Sequence, residues 1–366
     1  MSSKQINIFL TGATGYIGGS ILTGLLQHPN VSNFKITALI RGDESRVNKI
    51  ASLGVIPLIG TNESHDILEK AASESHVVIH TSNSADDIPS VKSILSGLNK
   101  RTQANGKPVI YIHTSGTAVI SEDVRGKKGS NSIYSDLDPN KINSIADDQW
   151  HRDVDLLIIN AAQANPLLKS VIVLPPAIYG IGTGLFHRDS ETIGSLIRAA
   201  LKRGKIEMIG PGESKWGYSH IGDLVDAYIL LLDQLLAVYG PNAKSDVKSS
   251  PYLTTGREGY YFTVDGQVSG KEVSEKIGEI LYKRGILQSP TVTSFPDDEI
   301  ESALFGPFSW VLGCQSNSKA ERLDKLGWKP HRPNMIDCIE EQVDAILNDT
   351  KNKTLIQYTY TKKNNS

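Results

Sequence analysis

Cysteine is almost missing from this sequence: Cys314 and Cys338 are the only two in 366 residues. Two cysteines cannot build a disulfide scaffold, and these lack the short spacing of a metal knuckle. An excess of either charge is missing too, with 38 Lys and Arg against 40 Asp and Glu, a net of −2. That balance removes any reason to expect general affinity for nucleic acid or an anionic membrane. The densest basic cluster, "RGKKG" at 125–129, reads as a solvated loop. No run reaches the ~20 apolar residues of a membrane span. The most apolar stretch, "LVDAYILLLDQLLAVYG", carries Asp226 and Asp233 and has the period of an amphipathic helix. The start, "MSSKQINIFLTG", lacks a charged segment followed by an apolar core and a small-residue cleavage site. These absences predict a soluble, cytoplasmic protein with reduced thiols.

What is present is alternation. Up to about residue 180, short Val- and Ile-rich runs ("INIFL", "KITALI", "GVIPLIG", "HVVIHT", "PVIYIHTS", "SVIVLPP") alternate with helical patterns at 17–27, 64–74 and 87–104. Near-continuous apolar strands between helices predict an α/β fold with a doubly wound parallel sheet covered on both faces. After 180 the pattern changes to helical segments at 190–203, 222–238, 270–283 and 335–348, separated by Gly-, Pro- and Ser-rich loops. The expected organisation is a nucleotide-binding domain over 1–180, a smaller substrate-binding portion over 181–348 that interleaves with it, and a polar tail over 349–366. "HVVIH" puts His76 and His80 on one strand face, but without a third ligand no metal site is expected.

"TGATGYIGG", residues 11–19, stands between the first strand and the first helix, with Gly12, Gly15 and Gly18 at three-residue steps. A helix N-terminus offers unpaired N–H groups and a positive dipole end to a pyrophosphate, and glycines let the backbone approach it. The second strand ends "TALIRGDESR". A carboxylate at that place suits the adenosine ribose of NAD, whereas an arginine suits the 2′-phosphate of NADP. Arg41 comes first, with Arg46 nearby and Asp43 two residues on, so the expectation is NADP, with NAD as the alternative.

Four motifs in order resemble the extended, epimerase-like branch of the short-chain dehydrogenase/reductase superfamily. They are the glycine turn, "VIVLPPAIYGIGTG" (171–184), "WGYSHIGDLVDAYILLL" (216–232) and "LGWKP" (326–330). The resemblance implies a Rossmann-like sheet of seven strands and a smaller C-terminal portion. It implies cofactor contacts at Gly12, Thr14, Gly15, Tyr16, Ile17, Gly18 and Arg41. Thr81 and Ser82 would line the cofactor after the fourth strand, and Pro175 and Ile178 would pack at the nicotinamide end. A homodimer is a further implication.

The superfamily's acid/base pair, Tyr-x-x-x-Lys, is absent from the chain. Laying "ADDQWHRDVDLLIINAAQ" over the corresponding helix puts His151 at the lysine position and Asp147 at the tyrosine position. Ser115, in "YIHTSGTAV", matches the hydroxyl residue placed beside the reacting oxygen, where it can donate a hydrogen bond as charge develops. Tyr134, His151 or water would supply the proton: histidine changes charge near neutrality and could instead bond the ribose hydroxyls, and Tyr134 lies in a loop expected to fold over the substrate. Tyr179 in "PPAIYG" is expected to pack. Three readings follow: an NADP(H)-dependent reductase of a small carbonyl or unsaturated metabolite; a non-catalytic NADP-binding regulator, resembling the fungal nitrogen-metabolite-repression regulators that lack the pair; and a nucleotide-sugar epimerase or dehydratase, which the missing tyrosine disfavours.

Overall fold

Six apolar runs and one short late segment form the central sheet. In the computed structural model, which describes residues 4–351, the strands are β1 (Ile6–Leu10), β2 (Phe34–Ile40), β3 (Ile56–Ile59), β4 (Val77–His80), β5 (Val109–Thr114) and β6 (Leu168–Leu174). Three later strands are β7 (Ala177–Tyr179), β8 (Lys215–His220) and β9 (Tyr260–Phe262), followed by β10 (Gly266–Ser269). The main sheet runs β9-β6-β5-β4-β1-β2-β3, and every neighbouring pair is parallel. The chain moves from β1 out to β3 and then crosses back to place β4 on the other side of β1. Such a reversal opens a crevice beyond the carboxyl ends of the strands. The expected Rossmann-like α/β fold is therefore present.

Alternation along the strands divides the core. Ile8, Leu10, Ile110 and Ile112 face one side, with helices α1 (Tyr16–Leu26) and, after α2 (Glu44–Ala51), the long Ile221–Tyr239 helix packed over them. Phe9, Val109 and Tyr111 face the other, under α3 (His65–Ser73), α4 (Ile88–Asn105) and α5 (Arg152–Ala164). Each fully buried Leu or Ile side chain there contributes roughly 1.5–3 kcal/mol. A third cluster joins α6 (Glu191–Arg203), α8 (Gly270–Lys283) and α9 (Met335–Lys351), the Ile221–Tyr239 helix being α7. It packs on a small sheet in which β8 pairs parallel with β7 and antiparallel with β10.

The chain thus returns to the first unit after 180, through α7 and β9. The three-residue "YYF" of β9 is too short to stand out in the sequence. Among the described residues no helix is long and apolar enough to cross a membrane. Beyond residue 351 the expected polar tail lies outside the described residues.

Candidate functional site

The glycine turn closes tightly. Gly12 has φ +75°, and a Cβ there would lie 2.4 Å from Thr81 Oγ1. At Gly18 a Cβ would lie 2.3 Å from Gly12 O. These two glycines let β1, the turn and the loop after β4 pack together. Gly15 is different: it is the N-cap of α1 with ordinary extended backbone, and only Gly12 O, at 3.2 Å, stands near its missing side chain. No side chain caps this helix and no acidic residue occupies its first turn. Its leading N–H groups and dipole are left for an anion. Thr11 ties the next wall in place: Thr81 Oγ1 donates to Thr11 O (2.8 Å), and the Thr81 N–H donates to Thr11 Oγ1 (3.1 Å).

From this turn a cleft of about 870 Å³ runs along the carboxyl ends of the strands. Gly12, Thr14, Gly15, Tyr16, Ile17 and Gly18 line it beside α1, and Thr81 and Ser82 line it after β4. Tyr16 also donates its hydroxyl to Gly180 O at 2.8 Å, which fastens α1 to the loop after β7. At the β2 end Arg41, exposed, and Arg46 are in the lining. Asp43 is not: its carboxylate accepts the Arg46 N–H at 3.0 Å and caps α2. At the opposite end Pro175 and Ile178 join Ser115 and His151. β1 and β4 separate β2 from β5, so these ends lie roughly 14 Å apart, three strand spacings. A cleft of this length could hold an extended dinucleotide, with the glycine turn offering its N–H groups to a pyrophosphate.

Three polar side chains gather at that last end. Ser115 is buried, its N–H donates to Val173 O at 2.9 Å, and its hydroxyl has no hydrogen-bond partner. His151 stands at the N-cap of α5 with φ +65°, a conformation unusual for a side chain larger than glycine. It aims the ring inward, 6% exposed, with Nδ1 2.7 Å from Asp86 Oδ1. A carboxylate only accepts, so Nδ1 carries the hydrogen, and Nε2 is turned toward Gly116, where a Cβ would lie 3.3 Å from it. Behind them Asp155 is fully buried, and burial pushes its carboxyl up to about 7; Ser115, His151 and Arg152 act against that rise. Ser115 sits close enough to draw the value down, yet neither carboxylate oxygen makes a well-formed hydrogen bond.

Two expectations are corrected. Tyr134 is not among the residues lining the cleft: its N–H donates to Asn317 O (2.9 Å) and its strand pairs with Ser318–Lys319. Asp147 is not one helical turn before His151: the helix starts only at Arg152, and Asp147 is exposed in a turn. Tyr179 packs, donating to Pro333 O at 2.7 Å. His76 accepts the Asn7 N–H at 2.9 Å, and His80 Nδ1 lies 2.7 Å from Thr11 Oγ1, so both rings serve the fold. Asp223, Asp226 and His331 also converge, but Arg332 pairs with both carboxylates. Asp86 and Asp155 were missed; "HRDVD", with a histidine and a carboxylate four apart, was the available signal for the second.

Residues 3–97 match the model of the NmrA-like family, and residues 151–242 match that of the NAD dependent epimerase/dehydratase family. A protein from an Acremonium species named oxidase ucsJ is 26% identical, over 91% of this chain and 95% of its own. The UDP-glucuronic acid 4-epimerase of Bacillus cereus, solved with UDP-glucuronic acid and NAD, superposes with a TM-score of 0.62 at 16% identity, covering 94% of this chain and 99% of that one. The dTDP-glucose 4,6-dehydratase of Bacillus anthracis, solved with NAD, gives 0.62 and 16%, covering 94% and 98%. These structures share the fold of the chain, and the family models agree with the resemblance read from its motifs.

Proposed function

We propose that this chain, an atypical relative of the extended short-chain dehydrogenases/reductases, is an NADP(H)-dependent oxidoreductase that reduces a small carbonyl or related unsaturated metabolite. The observation that carries the reading is the buried Ser115 hydroxyl, set beside Asp155 and an Asp86-held His151, at one end of a cleft long enough for a dinucleotide. Arg41 and Arg46 in the lining, with Asp43 engaged as a cap, favour NADP over NAD. When bound, the dinucleotide supplies a hydride to the substrate carbon. Ser115 donates its hydroxyl hydrogen to the carbonyl oxygen as negative charge grows there. Protonated His151 then gives its Nε2 proton to the same oxygen, yielding the alcohol, and Asp86 holds the ring in place throughout. The two buried, unpaired cysteines fit a cytoplasmic setting.

The regulator reading draws on the NmrA-like match over 3–97 and on the missing Tyr/Lys pair. Titrating NADPH and NADH, then following NADPH oxidation across aldehydes, ketones and enones, separates the two. The reductase should turn over at least one class, and Ser115→Ala should keep NADPH affinity while kcat drops about a hundredfold. Tight NADPH binding with no oxidation across the panel, and no effect of Ser115→Ala, would leave the regulator.

A further inference from the structure

The two ends of the cleft differ in charge. The arginines of the lining, Arg41 and Arg46, both belong to the β2 end, and no lysine lines the cleft among the described residues. At the His151 end the carboxylate of the lining is Asp86, engaged by His151; Asp189, paired with Arg198 (2.6 Å), and Glu191, whose carboxyl burial pushes up, line the cleft at the start of α6. The space beyond His151 is walled instead by Ala118, Trp216, Phe308, Val311, Leu312 and Cys314. Three of these lie on the Gly306–Gly313 turn of 3₁₀ helix, which covers this end. Phe308 tilts toward His151 with ring centres 5.6 Å apart, and Trp150 meets Phe308 edge-on at 5.2 Å. The Gly126 N–H donates to Gly313 O at 2.7 Å, which holds the cover down.

A diphosphate needs cations or a helix N-terminus to replace its water, and the wall formed by these six residues presents no guanidinium, no ammonium and no α-helix N-terminus. A carboxylate substrate would meet Asp86 as a like charge. An uncharged ring would bury its surface against the aromatic and aliphatic wall. We propose that the substrate of this site is an uncharged carbonyl compound with an aromatic or alicyclic body, and not a nucleotide sugar. The proposal rests on the oxidoreductase reading and narrows it.

Binding is read by quenching of tryptophan fluorescence, Trp216 being in the wall, with the protein saturated in NADP⁺. The probes are 2-acetonaphthone, its charged counterpart 2-naphthoate, and UDP-glucose. The ketone should quench saturably, and the other two should bind at least about tenfold more weakly. Val311→Glu, which puts a charge on a half-buried wall position, should weaken the ketone roughly a hundredfold and leave NADP⁺ affinity unchanged. Val311→Ala should retain ketone binding. UDP-glucose binding as tightly as the ketone, or no ketone binding up to its solubility, overturns the proposal. Failure to bind NADP(H) at all would instead overturn the oxidoreductase reading.

Discussion

His151 Nδ1 and Asp86 Oδ1 stand 2.7 Å apart, although 65 residues separate them in the chain. The carboxylate is 39% exposed and the imidazole 6%, so the pair joins solvent to the buried end of the cleft. With Nδ1 donating to Asp86, the other ring nitrogen is the one presented toward Gly116. Asp86 is a positioning residue: its bond to Nδ1 fixes which nitrogen can meet a substrate.

The first prediction is that Asp86→Asn lowers kcat by about a hundredfold, within the range general acid–base catalysis contributes, and leaves KM and NADPH affinity nearly unchanged. The asparagine amide can donate to Nδ1 and so favours the other tautomer. A steady-state comparison decides it. A rise in KM at constant kcat would mean that Asp86 serves only to shape the pocket.

A second prediction concerns the β2 end. Arg41→Ala should weaken NADP(H) binding by roughly the 1.5–3 kcal/mol of a hydrogen bond to a charged group, and leave NAD(H) almost untouched. Calorimetric titration of both cofactors against both proteins measures it. Equal losses for the two would show that Arg41 does not meet the 2′-phosphate.

Much of this was legible in the sequence because the demands were local. The sheet strands before 180 announced themselves by apolar runs, and the helix bounds at 65–73, 88–105 and 270–283 fell close to expectation. Gly12 was readable because only glycine suits φ +75° with Thr81 Oγ1 so close. Asp86 was not, since its meaning comes from a partner brought by another strand connection. Asp43 kept NAD open as the alternative, because its capping bond to Arg46 depends on where α2 begins. Tyr134 looked like a lid because nothing in its neighbourhood shows that the Asn317–Lys319 segment will hold it. The cover at Gly306–Gly313 has neither helical nor strand periodicity, so its apolar side chains gave no clue to the wall they form.

The third prediction uses Asp155. Burial raises its carboxyl to about 7, against 3.8 for an ordinary aspartate. The folded state therefore keeps a proton that the unfolded chain releases near pH 4. The group's favourable share in stability is complete below pH 4, falls as pH rises from about 4 to about 7, and is gone above that. At 1.36 kcal/mol per unit, the ceiling of the loss is about 4 kcal/mol. An asparagine in its place would have the shape of the protonated acid and no charge to desolvate. The stability advantage of Asp155→Asn over the wild type in urea unfolding should accordingly be larger at about pH 8 than at about pH 4.5, by up to about 3 kcal/mol. The buried histidines slope the other way: His80 is pushed down to about 3 and His113 is lowered too, both by burial, so they withdraw stability as pH falls below 6.5. Both proteins carry them, so they cancel in the difference. If the two stability curves run parallel across that pH range, Asp155 is charged in the folded protein, and the neutral carboxyl behind Ser115 must be given up.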